Sequence, residues 1–531
     1  MSAPVSAHSA SYVALSDLGW STPDGRPVFS GLSLSFGPGR TALVGRNGSG
    51  KSTLLQLIAG DISAASGSVA RRGRVAMLRQ QLEPAPGALV ADMFGAREAL
   101  TLLRLAEAGT ATVEQLALCD WMLESRIGGA CARLGLTLPL DTPLSQLSGG
   151  QRTRAAIAAL LTDAPDILLL DEPSNHLDAE GRMAVAELLQ GWRGVAIIAS
   201  HDRALLESVD RIIDLSNGIA RAYGGGWGAW KAQKAEEEAA AEQRLDDAGK
   251  ALSQAKRMAA RNAEKQARRD GAGHRKGQKG DMPAISAGLR KRQAEATSGQ
   301  MARVADDRIN AAGEALSAAR ERIETVDPLT VAMPSTGLSP GRRVLELEAV
   351  SAGYSADVLQ GLSLTISGPE RVAITGRNGS GKSTLLALVA GKLAPSAGTA
   401  RVQVPCALLD QDVSLLNPAF SICDNFQQLN PGIGENELRA ALARFMFRAD
   451  AALRPAGSLS GEERLRAGLA CVLGVKPPPL LLLDEPSNHL DLESMEAVEQ
   501  GLLRYDGALL VVSHDEAFLQ AIGISRRIAL G

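Results

Sequence analysis

The sequence predicts an α/β protein in which one domain is built twice, with an antiparallel α-helical hairpin between the copies. Three observations predict it. The eleven residues Gly-Arg-Asn-Gly-Ser-Gly-Lys-Ser-Thr-Leu-Leu at 45–55 recur unchanged at 376–386. Two apolar runs, Ile167-Leu-Leu-Leu and Leu480-Leu-Leu-Leu, each end in Asp-Glu at the same place in the repeat. Between the copies the composition turns to Ala, Glu, Lys, Arg and Gln, with apolar residues at 4-3-4-3-4 spacing. The repeating unit is about 200 residues, so this is a domain duplication and not a short-period array.

The bulk numbers agree. A chain of 531 residues is too long for one core and suggests about three domains, or two large ones. Hydrophobic content of 45% with only 3% aromatics means cores of Ala, Leu, Val and Ile. Cys119, Cys131, Cys406, Cys423 and Cys471 are scattered without CxxC pairs. Neither a zinc site nor a disulfide framework follows, and a reducing, cytoplasmic compartment fits. The opening residues lack a signal pattern and no apolar run reaches about 18 residues, so no membrane span is expected.

Taken in order, residues 1–11 read as a disordered lead. A first repeat is expected over 12–225, a charged linker over 226–335 and a second repeat over 336–531. Strand-like segments between Tyr12 and Phe36 are broken by the turn Ser-Thr-Pro-Asp-Gly-Arg-Pro at 21–27. Thr41-Ala-Leu-Val44 reads as a buried strand, and a helix opens at Leu54. The loop between them has the form G-x-x-x-x-G-K-[ST], which in strand–loop–helix context binds phosphate. Gly45, Asn47, Gly48 and Gly50 let backbone N–H groups curl round the phosphates at a helix N-terminus that carries partial positive charge. Lys51 reaches the outer phosphates, Ser52 holds Mg²⁺, and Thr53 completes the motif. Gly376, Asn378, Gly379, Gly381, Lys382, Ser383 and Thr384 repeat the set.

After the first loop come a turn into a strand at 66–69, a strand at 75–80 ending in Gln80, and a helical pattern over 90–134. Leu147-Ser-Gly-Gly-Gln151 opens a further helix. Two buried strands follow, one ending in Asp171-Glu172 and one in His201. The second copy, from Val344, repeats the order with Tyr354 in place of Trp20, then Gln411, Leu459-Ser-Gly-Glu-Glu463, Asp484-Glu485 and His514. One length differs. Gln80 to Ser148 is 68 positions and Gln411 to Ser460 is 49, so the first copy carries 19 extra residues.

The linker holds two narrow seams. Ala241, Leu245, Ala248, Leu252, Ala255 and Ala259 form one; Ala305, Ile309, Ala312, Leu316, Ala319 and Ile323 form the other. Two antiparallel helices share such seams. The first helix is expected over 229–268, with Gly271, Gly273, Gly277, Gly280, Pro283 and Gly288 marking the hairpin tip. Residues 256–292 carry twelve basic against three acidic side chains, a net of +9, while the whole chain is −3. A basic tip on an otherwise acidic protein points to a polyanionic partner.

This order of motifs resembles the ATP-binding cassettes of the ABC superfamily over roughly 400 residues. Two cassettes joined by a charged hairpin, with Glu-Pro-Ser-Asn-His-Leu-Asp after each acid pair, resemble the ABC-F family. Ser174 and Ser487 stand where that family usually has threonine, and the hydroxyl is kept. The resemblance implies two ABC-type nucleotide-binding domains in tandem, ATP hydrolysis with Mg²⁺, and a monomer whose cassettes pair within the chain. It also implies action at the ribosome, with the linker reaching toward the peptidyl-transferase region and tRNA. Arg268, Arg269, Arg275, Lys276, Lys279, Arg290, Lys291 and Arg292 would then contact rRNA or tRNA backbone.

Such cassettes resemble half-sites that close head to tail. Site one would join Lys51 to Ser460 and Gly461; site two would join Lys382 to Ser148, Gly149 and Gly150. Asp171 and Asp484 would hold Mg²⁺ through water, and Gln80 and Gln411 would touch the metal and the attacking water. Glu172 and Glu485 would activate that water, His201 and His514 would meet the γ-phosphate, and Trp20 and Tyr354 would stack on adenine. Glu462 departs from the pattern, standing where the first copy has Gly150, and predicts slower hydrolysis at site one.

Two other functions use cassettes: the ATPase subunit of a membrane transporter, and a DNA-maintenance ATPase with coiled-coil arms. The charged hairpin and absent spans argue against the first, and the short arm without a cysteine hook against the second. Few bulky side chains sit in the tip (Met282 and Leu289), which favours a translation role over drug displacement.

Overall fold

The computed structural model describes residues 11–530 apart from 80–84, 86, 176, 217, 278–302, 321–333, 355 and 489. Contacts divide the chain into two units: Met1–Ala229 with Asp327–Gly531, and Trp230–Val326.

The first copy has two sheets. β1 (Tyr12–Ser21), β2 (Pro27–Phe36) and β4 (Ser66–Arg72) form an antiparallel sheet in the order β2-β1-β4. β3 (Gly39–Val44), β5 (Val75–Leu78), β6 (Ile167–Asp171), β7 (Val195–Ala199), β8 (Arg211–Ser216) and β9 (Ile219–Gly224) form the second, in the order β5-β6-β7-β3-β8-β9. Only the edge pair β8–β9 is antiparallel. Every residue of β6 and β7 is buried, as expected of parallel strands covered on both faces. The helix Lys51–Ala59 lies between the sheets: Leu54, Leu55 and Ile58 share one core with Val13, Leu18 and Phe36 on one side and Leu169 and Ile197 on the other.

The second copy repeats this frame. β10 (Arg343–Ala352), β11 (Leu359–Ser367) and β13 (Ala397–Val402) form the antiparallel sheet, in the order β11-β10-β13. β12 (Arg371–Gly376), β14 (Cys406–Leu409), β15 (Leu480–Asp484), β16 (Ala508–Val512) and β17 (Arg526–Leu530) form a parallel sheet ordered β14-β15-β16-β12-β17. The helical parts differ. The first copy has helices Val90–Met93, Arg97–Glu107, Val113–Ala117 and Leu123–Ala132 before its Leu-Ser-Gly turn; the second has Ile422–Leu429, Glu435–Arg444 and two short 3₁₀ turns. The longer first copy thus gains short helical segments, with Val113, Leu118, Trp121 and Met122 exposed.

In the unit Trp230–Val326, one helix runs Trp227–Gly277, 51 residues and about 75 Å long, and another covers 303–320. This corrects the expected end near Arg268, because Gly271 and Gly273 stay helical. An internal glycine costs only about 1 kcal/mol, which neighbouring helix formers offset. Ala241, Leu245, Ala248, Leu252, Ala255 and Ala259 are each half-buried amid exposed neighbours, and so are Ala305, Ile309, Ala312, Leu316 and Ala319. Ile323 and the expected tip beyond Gly277, with Gly280, Pro283 and Gly288, lie outside the described residues. Among the described residues, no helix is long and apolar enough to cross a membrane.

The cassettes also meet directly. Arg203, just after His201, donates to both oxygens of Glu499 at 2.7 and 3.2 Å, and both side chains are buried. Glu499→Ala should cost about 3–5 kcal/mol in thermal denaturation, because a buried guanidinium loses its partner, whereas Arg203→Met with Glu499→Leu should recover most of the loss.

Candidate active site

Each phosphate loop is shaped by backbone that only glycine adopts easily. Gly45, Gly48 and Gly50 have φ of 143°, 82° and 96°, and Gly376, Gly379 and Gly381 have 147°, 86° and 92°. A Cβ on Gly50 would also lie 2.5 Å from Phe29, so the loop closes tightly on the antiparallel sheet. Within the loop, Lys51 is buried and its Nζ donates to the carbonyls of Gly45 (2.7 Å) and Arg46 (3.2 Å). Lys382 does the same to Gly376 (2.8 Å) and Arg377 (3.1 Å). Burial pulls both ammonium groups below their usual range, while nearby carboxylates oppose it.

The carboxylates come from the ends of β6 and β15. Ser52 bonds Asp171, and Ser383 bonds Asp484; burial pushes both carboxyls up. Glu172 and Glu485 follow at φ 47°, a left-handed backbone that costs about 1–3 kcal/mol and fixes the side chain's direction. Their amides donate to Ala199 (2.8 Å) and Val512 (2.9 Å), on the neighbouring strands β7 and β16. Burial raises the Glu172 carboxyl well above the carboxylate range, against Lys51, and raises Glu485 to about 7. His201 Nε2 stands 3.4 Å from Glu172, and His514 Nε2 3.6 Å from Glu485. Burial and the adjacent lysines hold both imidazoles neutral, His514 at about 4. His201 Nδ1 and Nε2, Glu485 Oε2, His514 Nε2, Ser49 Oγ and Ser380 Oγ are buried without a hydrogen-bond partner among the described residues. Polar atoms buried in this way suit a polar ligand.

The Leu-Ser-Gly turns begin helices Gly149–Thr162 and Gly461–Leu473. Ser148 Oγ accepts from the Gln151 amide and Ser460 Oγ from the Glu463 amide, each at 3.2 Å, and the Gln151 and Glu463 side chains return the bond. Gln151 and Glu463 therefore do the same capping work, and each serine keeps its O–H free to donate.

A cavity of about 410 Å³ lies between the cassettes, lined among others by Asn47, Glu172 and His201 of the first and Gln411, Ser460 and Glu462 of the second. Lys51 and Ser460 thus belong to loops that face one cavity. The contacts that close this side were missed by sequence reasoning. Asp491 Oδ2 accepts from the Asn47 amide (3.0 Å), Glu462 Oε2 from Asn47 Nδ2 (2.8 Å), and Glu493 pairs with Arg46 (2.7 Å). On the other side Asp178 stands near Lys382, and Glu180 lies 4.0 Å from Arg377. Arg182 raises no motif signal, yet its charge acts on both Glu485 and His514. The repeated Asn-His-Leu-Asp run was the available clue for Asp178 and Asp491.

Other expected positions are less central. Trp20 is half-buried against the antiparallel-sheet core, and Tyr354 is 77% exposed. Gln80 lies outside the described residues. Among the RNA-contact candidates, Arg268 is exposed and pairs with Glu264 at 2.6 Å; the side chains of Arg269, Arg275 and Lys276 and all of Lys279, Arg290, Lys291 and Arg292 lie outside the described residues. Among the described residues, no cluster of three His, Cys, Asp or Glu forms a metal cage. A hydroxyl and one carboxylate beside a phosphate loop are nonetheless the donors that Mg²⁺ uses with nucleotide phosphates.

Comparison with known proteins agrees with this geometry. The ABC transporter family model matches twice, at residues 29–175 and 359–488. The tylosin resistance ATP-binding protein TlrC of Streptomyces fradiae is 33% identical, over 93% of this chain and 92% of its own length. The energy-dependent translational throttle protein EttA of Mycobacterium tuberculosis is 30% identical, over 93% of this chain and 87% of its own. The chain belongs to the ABC-F family of ATPases. Among solved structures, RNase-L Inhibitor matches with a TM-score of 0.56 at 17% identity, covering 92% of this chain and 83% of its own, which speaks for the shared fold. As an ABC-F protein the chain binds ATP in its cassettes and hydrolyses it.

Asp491 also caps the helix Leu492–Arg504 by accepting from the Ser494 amide. Asp491→Ala should therefore lower stability by about 1 kcal/mol for the cap alone, read by chemical denaturation.

Proposed function

We propose that the chain is an ATP-driven switch that acts on the ribosome. The observation that supports this reading is that residues of both cassettes line one cavity beside the phosphate loop of the first; in it, occupancy and closure are coupled. In this reading Lys51 and Lys382 hold the outer phosphates within the loops, and Ser460 with Gly461, and Ser148 with Gly149 and Gly150, complete the opposite sites. Trp20 and Tyr354 stack on adenine. Ser52 and Asp171, and Ser383 and Asp484, with Gln80 and Gln411, hold Mg²⁺, which when bound neutralises and aligns the β- and γ-phosphates.

Glu172 and Glu485 orient a water and accept its proton as the water's oxygen bonds the γ-phosphorus. The bond to the bridging oxygen breaks, and ADP and phosphate leave. His201 and His514, held neutral, donate to a γ-phosphate oxygen. ATP closes the cassettes and fixes a ribosome-binding shape; hydrolysis reopens them. The charged linker, 226–335, pairs its two seams as a hairpin and carries basic residues toward rRNA and tRNA phosphates. The protein works in the cytoplasm as a monomer.

The tylosin-resistance relative, matched over 92% of its length, supports protection of the ribosome against a drug as a second reading. Expression that raises tylosin tolerance in a sensitive host, and loses this effect with Glu172→Gln and Glu485→Gln, would select it over housekeeping translation.

Glu172→Gln with Glu485→Gln should lower steady-state ATPase turnover at least about 100-fold while ATP binding survives; unchanged turnover would remove these residues from the mechanism. The same protein should pellet with ribosomes only with ATP, and less as salt rises. Copurification with a membrane protein, or preference for branched DNA, would overturn the ribosomal reading. Glu462→Gly should raise total turnover if site one is the slow site.

A further inference from the structure

Glu462 breaks the symmetry of the two signature turns, whereas Glu463 for Gln151 keeps the same capping bond. Its counterpart is Gly150, which offers only backbone. The Glu462 side chain is buried, and its two oxygens are both engaged. Oε2 accepts from Asn47 Nδ2, inside the first phosphate loop, at 2.8 Å. Oε1 accepts from Ser494 Oγ and stands 3.5 Å from Arg466. Burial and then Asp491 push the Glu462 carboxyl up, while Ser494, Arg466 and Asn47 act to keep it ionised, and Lys51 is the other charge that feels it. The carboxylate has therefore crossed from the second cassette and taken a hydrogen-bond donor of the first cassette's phosphate loop.

We propose that Glu462 makes site one select nucleoside diphosphate over triphosphate. This rests on the nucleotide-binding reading above. The signature turn faces the terminal phosphate in that reading, so the Glu462 carboxylate, on Asn47 of the loop and lining the same cavity, borders the place a γ-phosphate would take. It already holds Asn47 and shares the field of Lys51, as a γ-phosphate would. A second anion brought into this buried place meets like charge at low effective dielectric. A diphosphate, one group shorter, stops before it. Site two, with Gly150, keeps a backbone N–H and no such charge. Site one then still takes and turns over ATP but favours the diphosphate, latched in part by protein, whereas site two carries no such bias. Glu462 acts here as a specificity-determining group, not as a base.

The test uses the full chain with Lys382→Ala, which disables site two, and fluorescent N-methylanthraniloyl ATP and ADP as probes. With Glu462 present, ADP should bind more tightly than ATP. Glu462→Gln keeps size and hydrogen bonding but removes the charge; it should tighten ATP about tenfold and leave ADP within about twofold. Glu462→Gly should do the same. Thermal denaturation of each variant checks that it is folded. An unchanged ATP-to-ADP ratio in both variants would overturn the proposal. Equal tightening of both nucleotides would overturn it too, since that is release of a latch without selection. Failure of either nucleotide to bind, in this background and with Lys51→Ala in place of Lys382→Ala, would instead bring down the nucleotide-site reading itself.

Discussion

A lysine ammonium held among its own loop's carbonyls, with acids from the end of one strand and from the other cassette around it, is the constraint on which this molecule depends. Lys51 and Lys382 are buried, and a buried ammonium is tolerable only with polar partners. The loop carbonyls supply some of them, which requires the glycine backbone. Asp171 and Glu172, or Asp484 and Glu485, supply opposite charge, which requires parallel strands that end side by side. The order β6-β7-β3 and its counterpart β15-β16-β12 bring the phosphate loop, the acid pair and the histidine to one sheet edge. The fold is in this sense a device for delivering charges from distant parts of the chain to one place.

The second constraint is that groups of the second cassette hold the phosphate loop of the first. Asp491, Glu462 and Glu493 all reach residues 46–47 across more than 400 positions of sequence. Arg203 and Glu499 join the cassettes through a buried pair that follows directly on His201. A change at residues 46–47 is thus felt by groups that belong to the other cassette.

Much of this was legible in the sequence because it is local. The phosphate loops, the acid-ending strands and the half-buried seams each follow from spacing over a few residues. The helix that continues through Gly271 and Gly273 was misread for the same reason: a glycine weighs heavily in local pattern, and its cost is small beside the helix-forming residues around it. Arg182 and Arg203 gave no local signal, because an arginine near one or two acids looks like any surface arginine. Glu462 was visible as a departure from its own repeat, and only its direction was hidden.

By itself the sequence determined the duplication, the α/β class, the phosphate loops and the identity of the acids, histidines and signature turns, since these are set by residue type and short spacing. Tertiary structure decided which acids meet which loop. It placed Asp491 on the Asn47 amide, turned Glu462 across to the Asn47 side chain, and set the mostly enclosed Glu172 and Glu485 in left-handed backbone where desolvation raises their carboxyls. Those outcomes depend on distance, burial and direction between segments far apart in the chain, and no spacing along the chain encodes them.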